Sequence, residues 1–232
     1  MNQQNAAADA AGDVLRISID AKATVKIGRF ARGGKSRAHS SACDHDFKPD
    51  ATLTPVGIFL PETDELFVYA VRSKVTSDCL LDRLVQWWEA VRHRFGHITT
   101  LVINLDNGPE NHSRRTQFMQ RLVEFVRQYG IRVRLAYYPP YHSKYNPIER
   151  CWGILENHWN GALLDTIDAV LNFTASMTWK SLHPVVALVT TTYHTGVKVS
   201  QAAMAEIEAQ IVRLPGLEKW FVDITPTGLW DV

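Results

Sequence analysis

The chain has few cysteines, no long apolar run, no leader-like start and almost no net charge, and each shortage excludes something. Its three cysteines, Cys43, Cys79 and Cys151, are odd in number, far apart and without a Cys-x-x-Cys pair. Neither a disulfide framework nor a zinc ribbon is indicated, and a reducing compartment fits. Residues 1–13 are small and polar, with no basic n-region and no apolar h-region, which is not the composition of a secretory signal. No stretch stays apolar over the roughly 20 residues that a membrane helix needs, so a soluble, cytoplasmic protein is expected. A formal net charge of +1 is by itself no mark of a nucleic-acid binder.

What is present is apolar material. With 232 residues, 46% of them hydrophobic, the chain can bury one sizeable core, and one domain is expected. Charge is unevenly placed. Between Asp20 and Asp44 there is no acid, while Lys22, Lys26, Arg29, Arg32, Lys35 and Arg37 fall inside that window. A second basic concentration, including Arg114, Arg121, Arg127, Arg134, Lys144 and Arg150, runs through the middle of the chain. A charge run alone is most often a solvated face, so these gain meaning only beside a site.

Periodicity sets the element order. Leu15, Ile17 and Ile19 alternate with Arg16 and Ser18, a half-buried strand that ends at Asp20. After a short β-prone piece at 24–27 and a Gly- and Ser-rich loop over 28–51, strands at 54–60 and 66–71 flank a Pro-Glu-Thr-Asp turn. Leu80, Leu84, Trp87, Val91 and Phe95 then recur at helical spacing behind Ser77-Asp78. Residues 101–105 read as a central strand covered on both faces and end at Asp106-Asn107-Gly108-Pro109. A helix over 113–129 stops at Gly130, and a strand with one wet face follows over 131–137. Asn146, a good N-cap, and Pro147 open the next helix, so that Glu149 is its third residue, with Ile148, Trp152, Leu155 and Trp159 as its apolar stripe. The order predicts an α/β domain: a mixed sheet flanked by helices over 14–161, a flexible segment over 1–13, and a mainly helical carboxy-terminal extension over 162–232. Helices are expected at 168–179, at 185–193, and from Ser200 through Leu214.

Three carboxylates stand at element ends: Asp20, Asp106 and Glu149. Phosphodiester chemistry uses two divalent ions about 4 Å apart, and hard cations take carboxylate ligands. Taken singly, each acid has a plainer reading. Asp106-Asn107-Gly108 is good turn chemistry, Glu149 suits a capping box, and Asp20 is an ordinary strand-terminal acid. Weaker groupings exist too. His39, Cys43, His45 and Asp46 lie close together but match no common zinc spacing. Cys151 with His142 suggests a thiol and base, although a helical stripe favours a packed thiol. The tryptophans at 87, 88, 152 and 159 fit core packing.

Together the acids become recognisable. Asp20 in S-I-D-A-K-A, Asp106 in V-I-N-L-D-N-G-P-E and Glu149 in Y-Y-P-P-Y-H-S-K-Y-N-P-I-E-R-C-W resemble the three signatures of DDE transposases of bacterial insertion sequences, in the branch related to mariner elements. The resemblance runs from Val14 to Gly161 and on to about Leu214. It implies a ribonuclease-H-like fold and metal-dependent DNA cleavage and strand transfer, with Asp20, Asp106 and Glu149 binding two magnesium or manganese ions. By the same resemblance Asn107, His142, Lys144 and Asn146 shape the metal site or touch DNA. Lys22, Arg29, Arg32, Lys35, Arg37 and Arg150 are then candidate DNA contacts. The implied partners are transposon ends and target DNA, with a homodimer left open. Family members carry an amino-terminal helix-turn-helix region, for which only about a dozen residues precede the first strand here. The chain therefore reads as a catalytic domain or a truncated reading frame. A plain ribonuclease-H-like nuclease and a domesticated remnant that binds DNA without transposing are the alternatives.

Overall fold

A computed structural model of the chain describes residues 1–30, 32–33, 48–139 and 145–226. The elements are α1 (Asn2–Ala10), β1 (Val14–Ala21), β2 (Val25–Ile27), β3 (Ala51–Leu60), β4 (Glu65–Val71), α2 (Ser77–Val91), β5 (Thr100–Leu105), α3 (Thr116–Tyr129), β6 (Arg132–Tyr137), α4 (Ile148–Trp159), α5 (Ile167–Ser176), β7 (Val185–Val189), α6 (Gln201–Glu208), β8 (Ile211–Arg213) and β9 (Phe221–Ile224). The strands form one mixed sheet in the order β7-β4-β3-β1-β5-β6-β9-β8, with β2 pairing off β3. Strands β1, β5 and β6 run parallel, whereas β3 is antiparallel to both β1 and β4. No helix among the described residues is long and apolar enough to cross a membrane.

Strand alternation sorts side chains between two layers. Leu15, Ile17 and Ile19 of β1 and Leu101, Ile103 and Leu105 of β5 join the core under α2 and α3. Even-numbered neighbours face the other way, where α1 and α4 lie: Val102 meets Ala8 of α1, and Ser18 meets the start of α4. A separate core beneath α4 and α5 contains Ile148, Cys151, Trp152, Leu155 and Trp159 with Phe59, Leu66 and Val68. Burying one such large side chain contributes roughly 1.5–3 kcal/mol, so this stripe fixes α4 on the sheet. Gly130 ends α3 at φ 63, a left-handed conformation that glycine adopts without strain.

Several expected elements differ. Within residues 1–13, expected to be a flexible segment, Asn2–Ala10 form a helix: α1 packs Ala8 on Val102 and Ala136, and Asp9 takes a two-pronged ion pair from Arg16 at 2.5 and 2.7 Å. An Ala-rich helix has high propensity but no large apolar side chains, so it leaves no periodic signal. The carboxy-terminal part keeps α5 and α6, but the stretch expected to be helical at 185–193 contains β7, parallel to β4. Its valines are β-branched and suit a pleated edge. The helix from Ser200 stops at Glu208, and Ile211 belongs to β8. The spacing Ile207–Ile211 matches one helical turn, yet both residues reach the same core from two different elements. Among the described residues the extension is thus mixed, two helices and three strands, rather than mainly helical.

Candidate active site

The parallel register builds the first half of the site. Pairing runs from Val14↔Thr100 to Ser18↔Asn104 at a constant offset, and the same offset carried two residues past the paired segment brings Asp106 level with Asp20; the two acids line one cavity. Both stand at the carboxyl ends of adjacent strands, which run about 4.8 Å apart, and Asp20 reaches α4 through Trp152. Asp20 is itself paired with Gly57 on its other side.

Glu149 arrives by helix packing. It occupies the second position of α4, one earlier in the helix than the sequence suggested, because Pro147 rather than Asn146 is the capping residue. The Asn146 side chain is buried and accepts a hydrogen bond from Ser18 Oγ, which ties the head of α4 to β1. The Ile148 backbone N–H reaches the same Ser18 Oγ at 3.4 Å. One turn on, Trp152 Nε1 donates to Asp20 Oδ2 at 2.7 Å. A Cβ added to Gly57 would come within 2.6 Å of Ile148 Cδ1 and the Trp152 ring, so the helix rests on bare β3 backbone.

The three acids sense one another. Burial pushes the Asp20 carboxyl up to about 7, and the charges of Asp106 and Glu149 add to the rise, opposed by the Trp152 hydrogen bond. Glu149 is also raised, first by burial and then by Asp106, with Lys22 opposing. Among the described residues no three His, Cys, Asp or Glu side chains are gathered tightly enough to hold one ion. Mutual repulsion spreads like charges that lack a counter-ion, and a pair of ions needs each of them shared by only part of the set. A partly desolvated all-oxygen donor set whose members repel one another fits hard divalent cations. Asp106 is oriented by Asn111 Nδ2, which donates to its Oδ1 at 2.8 Å. Beside Asp20 and Asp106 lies a cavity of about 220 Å³ with Ile19, Val75, Leu80 and Pro109 in its wall. A larger cleft of about 530 Å³, bordered by Met1, Tyr138 and Tyr145, has no carboxylate among its described lining residues, so the smaller cavity is the one that adjoins Asp20 and Asp106.

The expected DNA contacts divide. Asn107, Arg29 and Arg150 are exposed. Lys22 is engaged by Glu156 at 2.6 Å and lies 5.9 Å from the Trp159 ring. Arg32 sits 5.1 Å over the same ring, largely desolvated and 3.9 Å from Glu156. These two brace the far end of α4. Lys35, Arg37, His142 and Lys144, like the His39, Cys43, His45 and Asp46 grouping, lie outside the described residues. In the second basic run, Arg121 is bound to Asp78 and Asp82, and Arg134 to Asp223 through two hydrogen bonds. Remote acids neutralise them, which local charge counting could not anticipate. The Cys151 thiol is fully buried and pushed up to about 12 by that burial, so it is a packing group and not a nucleophile. Sequence reasoning missed Ser18, Gly57 and Asn111 and took Trp152 for a packing residue by default, with base stacking the minor alternative. Only the nearness of Asn111 to the D-N-G-P-E motif was a signal.

A mixed sheet of this strand order, covered by helices on both faces and bearing acids at the carboxyl ends of its central parallel strands, is a ribonuclease-H-like fold. The sequence profile of the family described as Rhodopirellula transposase DDE domain matches residues 1–226, and the chain belongs to that family. Among solved structures, the chain is similar to the Mos1 transposase paired-end complex with left transposon end, at 9% identity and a TM-score of 0.50, over 74% of this chain and 50% of that one. It therefore spans about half the length of that transposase. A second Mos1 mariner paired-end complex, with Mn, matches at 9% identity and a TM-score of 0.47 over 68% of this chain and 46% of that one. The HTLV-2 integrase catalytic core domain in complex with magnesium matches at 18% identity and a TM-score of 0.40, over 68% of this chain and 81% of that one. No curated protein sequence matches.

Proposed function

We propose that this chain is the DNA-cutting and DNA-joining domain of a transposase, with Asp20, Asp106 and Glu149 as the ligands of two magnesium or manganese ions. The observation that carries the reading is the gathering of three acids at one rim of the sheet: Asp20 and Asp106 line one cavity, and α4, which bears Glu149, is tied to Asp20 by the Trp152 hydrogen bond. Bound there, the ions would polarise the scissile phosphate and favour deprotonation of the attacking hydroxyl. The rest falls to the protein. Asp20, oriented by Trp152, would hold metal together with Asp106 and Glu149. Exposed Asn107, Arg29 and Arg150 meet the phosphate backbone, to which Lys and Arg bind strongly, without sequence preference and with marked salt dependence. One site is used twice, with no covalent protein intermediate: water attacks a phosphate and breaks its P–O3′ bond to free a 3′-hydroxyl, and that hydroxyl attacks a target phosphate, forming a new phosphodiester as the target's own 3′-oxygen leaves. The setting proposed is the bacterial cytoplasm, with two chains acting on two transposon ends.

Calorimetric titration with manganese, comparing the chain with Asp106→Asn, tests the metal site, and unchanged binding in the variant would remove Asp106 from it. Incubation with pre-cleaved element ends and target DNA tests the joining step. Joined products are expected, whereas shortened products alone would make the protein a nuclease.

A further inference from the structure

We infer that Asn111 is part of the same site in two capacities: its amide nitrogen aims the Asp106 carboxylate, and its amide oxygen serves the divalent ion beside Asp106, directly or through one water of hydration. The inference rests on the carboxylates being metal ligands, as proposed above, and adds a neutral fourth group from the turn that follows β5.

The turn is held firmly. Backbone N–H groups of Asn111 and His112 donate to Gly108 O at 3.4 and 3.0 Å, and the buried Tyr137 hydroxyl of β6 donates to Asn111 O at 2.6 Å. Asn111 is only 5% exposed. Its Nδ2 is committed to Asp106 Oδ1 at 2.8 Å, while its Oδ1 is buried and has no partner among the described residues. The orientation of the amide follows from its neighbours, since a flipped amide would set Oδ1 against a carboxylate oxygen. A buried acceptor without a donor is costly, and Asn111 is already secured by its backbone and its nitrogen. The stray oxygen therefore points to something that arrives.

Its surroundings say what. A Cβ built on Gly108 would lie 3.0 and 3.3 Å from the two Asp106 oxygens and 3.4 Å from Asn111 Oδ1. Three oxygens thus converge on the space that Gly108 leaves open, along the cavity that Asp20 also lines. Carboxylate with amide oxygen is a donor set for a hard cation, and groups that orient metal-binding carboxylates are energetically coupled to the metal. A nucleobase amino group would also satisfy Oδ1, but it gives no reason for both Asp106 oxygens to share the niche.

The test is manganese titration of the full chain, together with melting temperatures with and without manganese, for the wild type, Asn111→Ala, Asn111→Asp and Asp106→Asn. Asn111→Ala is expected to weaken manganese binding about 10- to 100-fold. Asn111→Asp keeps an oxygen but sets a second carboxylate against Asp106. Its metal-free melting temperature should fall, and its manganese-induced rise should exceed that of the wild type. A side chain that only braced the turn would lower both melting temperatures alike. If both Asn111 variants bind manganese like the wild type while Asp106→Asn does not, Asn111 is turn structure and the carboxylate reading stands. If Asp106→Asn also binds normally, the carboxylate reading fails and takes this inference with it. Should Asn111→Ala not fold, the opposed shifts of Asn111→Asp still decide.

Discussion

Asp20 and Asp106 reach the site by one route, Glu149 by another. The two aspartates are neighbours because β1 and β5 pair in parallel, so backbone hydrogen bonds set their separation and no core side chain can change it much. Glu149 depends on how α4 sits on the sheet, through Ser18, bare Gly57 and the Trp152 indole. The ladder-built half should tolerate repacking, whereas the packed half should be sensitive to single atoms. The contrast also separates stability from function, since the Asp20 carboxylate carries a cost that a proton or a bound cation would relieve.

That cost gives the largest expected effect. Asp20→Asn should remove metal-dependent cleavage by at least about a thousand-fold, the several kcal/mol that metal ions contribute to such reactions. The same substitution should stabilise the metal-free fold. The Asp20 carboxyl lies near 7 when folded against an ordinary 3.8, so between those pH values the folded chain keeps a proton that the unfolded chain has lost. Stability of the metal-free protein should therefore fall as pH rises from about 4 to about 7, on the order of a few kcal/mol, and level off above. Denaturant midpoints across that window measure it. A flat wild-type profile, or a slope that persists in Asp20→Asn, would show that Asp20 is not the group responsible.

Next comes the packed half. Gly57→Ala puts a methyl within 2.6 Å of Ile148 and Trp152. Overpacking of this kind costs about 1–3 kcal/mol, and any retreat of α4 carries Glu149 with it. A misplacement of about 1 Å in a reacting site is worth about a hundred-fold in rate. Cleavage should therefore fall by roughly that factor even where the protein remains folded. Lost stability with full activity would mean that Glu149 is placed independently of α4 packing.

A smaller effect isolates one hydrogen bond. Trp152→Phe keeps a ring against β3 but loses the N–H that lowers the Asp20 carboxyl. The carboxyl should rise further, and since a cation must displace its proton, the acid limb of manganese binding should move up by roughly one pH unit. An unmoved limb would show that the indole only packs.

These contrasts also explain what could be read from residues alone. Alternation in Leu15, Ile17 and Ile19, the apolar run at 101–105 and the stop at Gly130 are local signals, so β1, β5 and α3 were legible, and so were Asp20 and Asp106 at the ends of the two strands. Gly57 was not, because it is silent within an apolar strand and its reason stands on α4, some 90 positions further along the chain. The Trp152 N–H was hidden inside an apolar stripe, and the register that joins Asp20 to Asp106 exists only once the strands pair. Alanines concealed α1, and the valines of β7 fitted either period. Proline at position 147 took the capping place that Asn146 seemed to hold, which freed that amide to bind Ser18.

The faintest expected effect concerns the two basic runs, which look alike in sequence but differ in partners. Arg134 is bound through two hydrogen bonds to Asp223, with both side chains about one-third exposed, so Arg134→Gln should cost less than about 1 kcal/mol and leave DNA binding unaltered. Arg29 is exposed just after β2, which pairs with β3. If it meets a phosphate, Arg29→Gln should weaken binding evenly across sequences and reduce the slope of log affinity against log salt by about one. Fluorescence anisotropy over a salt series reads both variants. An equal slope for Arg29→Gln and the wild type would move the DNA path away from β2, and a reduced slope for Arg134→Gln would mean that its ion pair opens when DNA arrives.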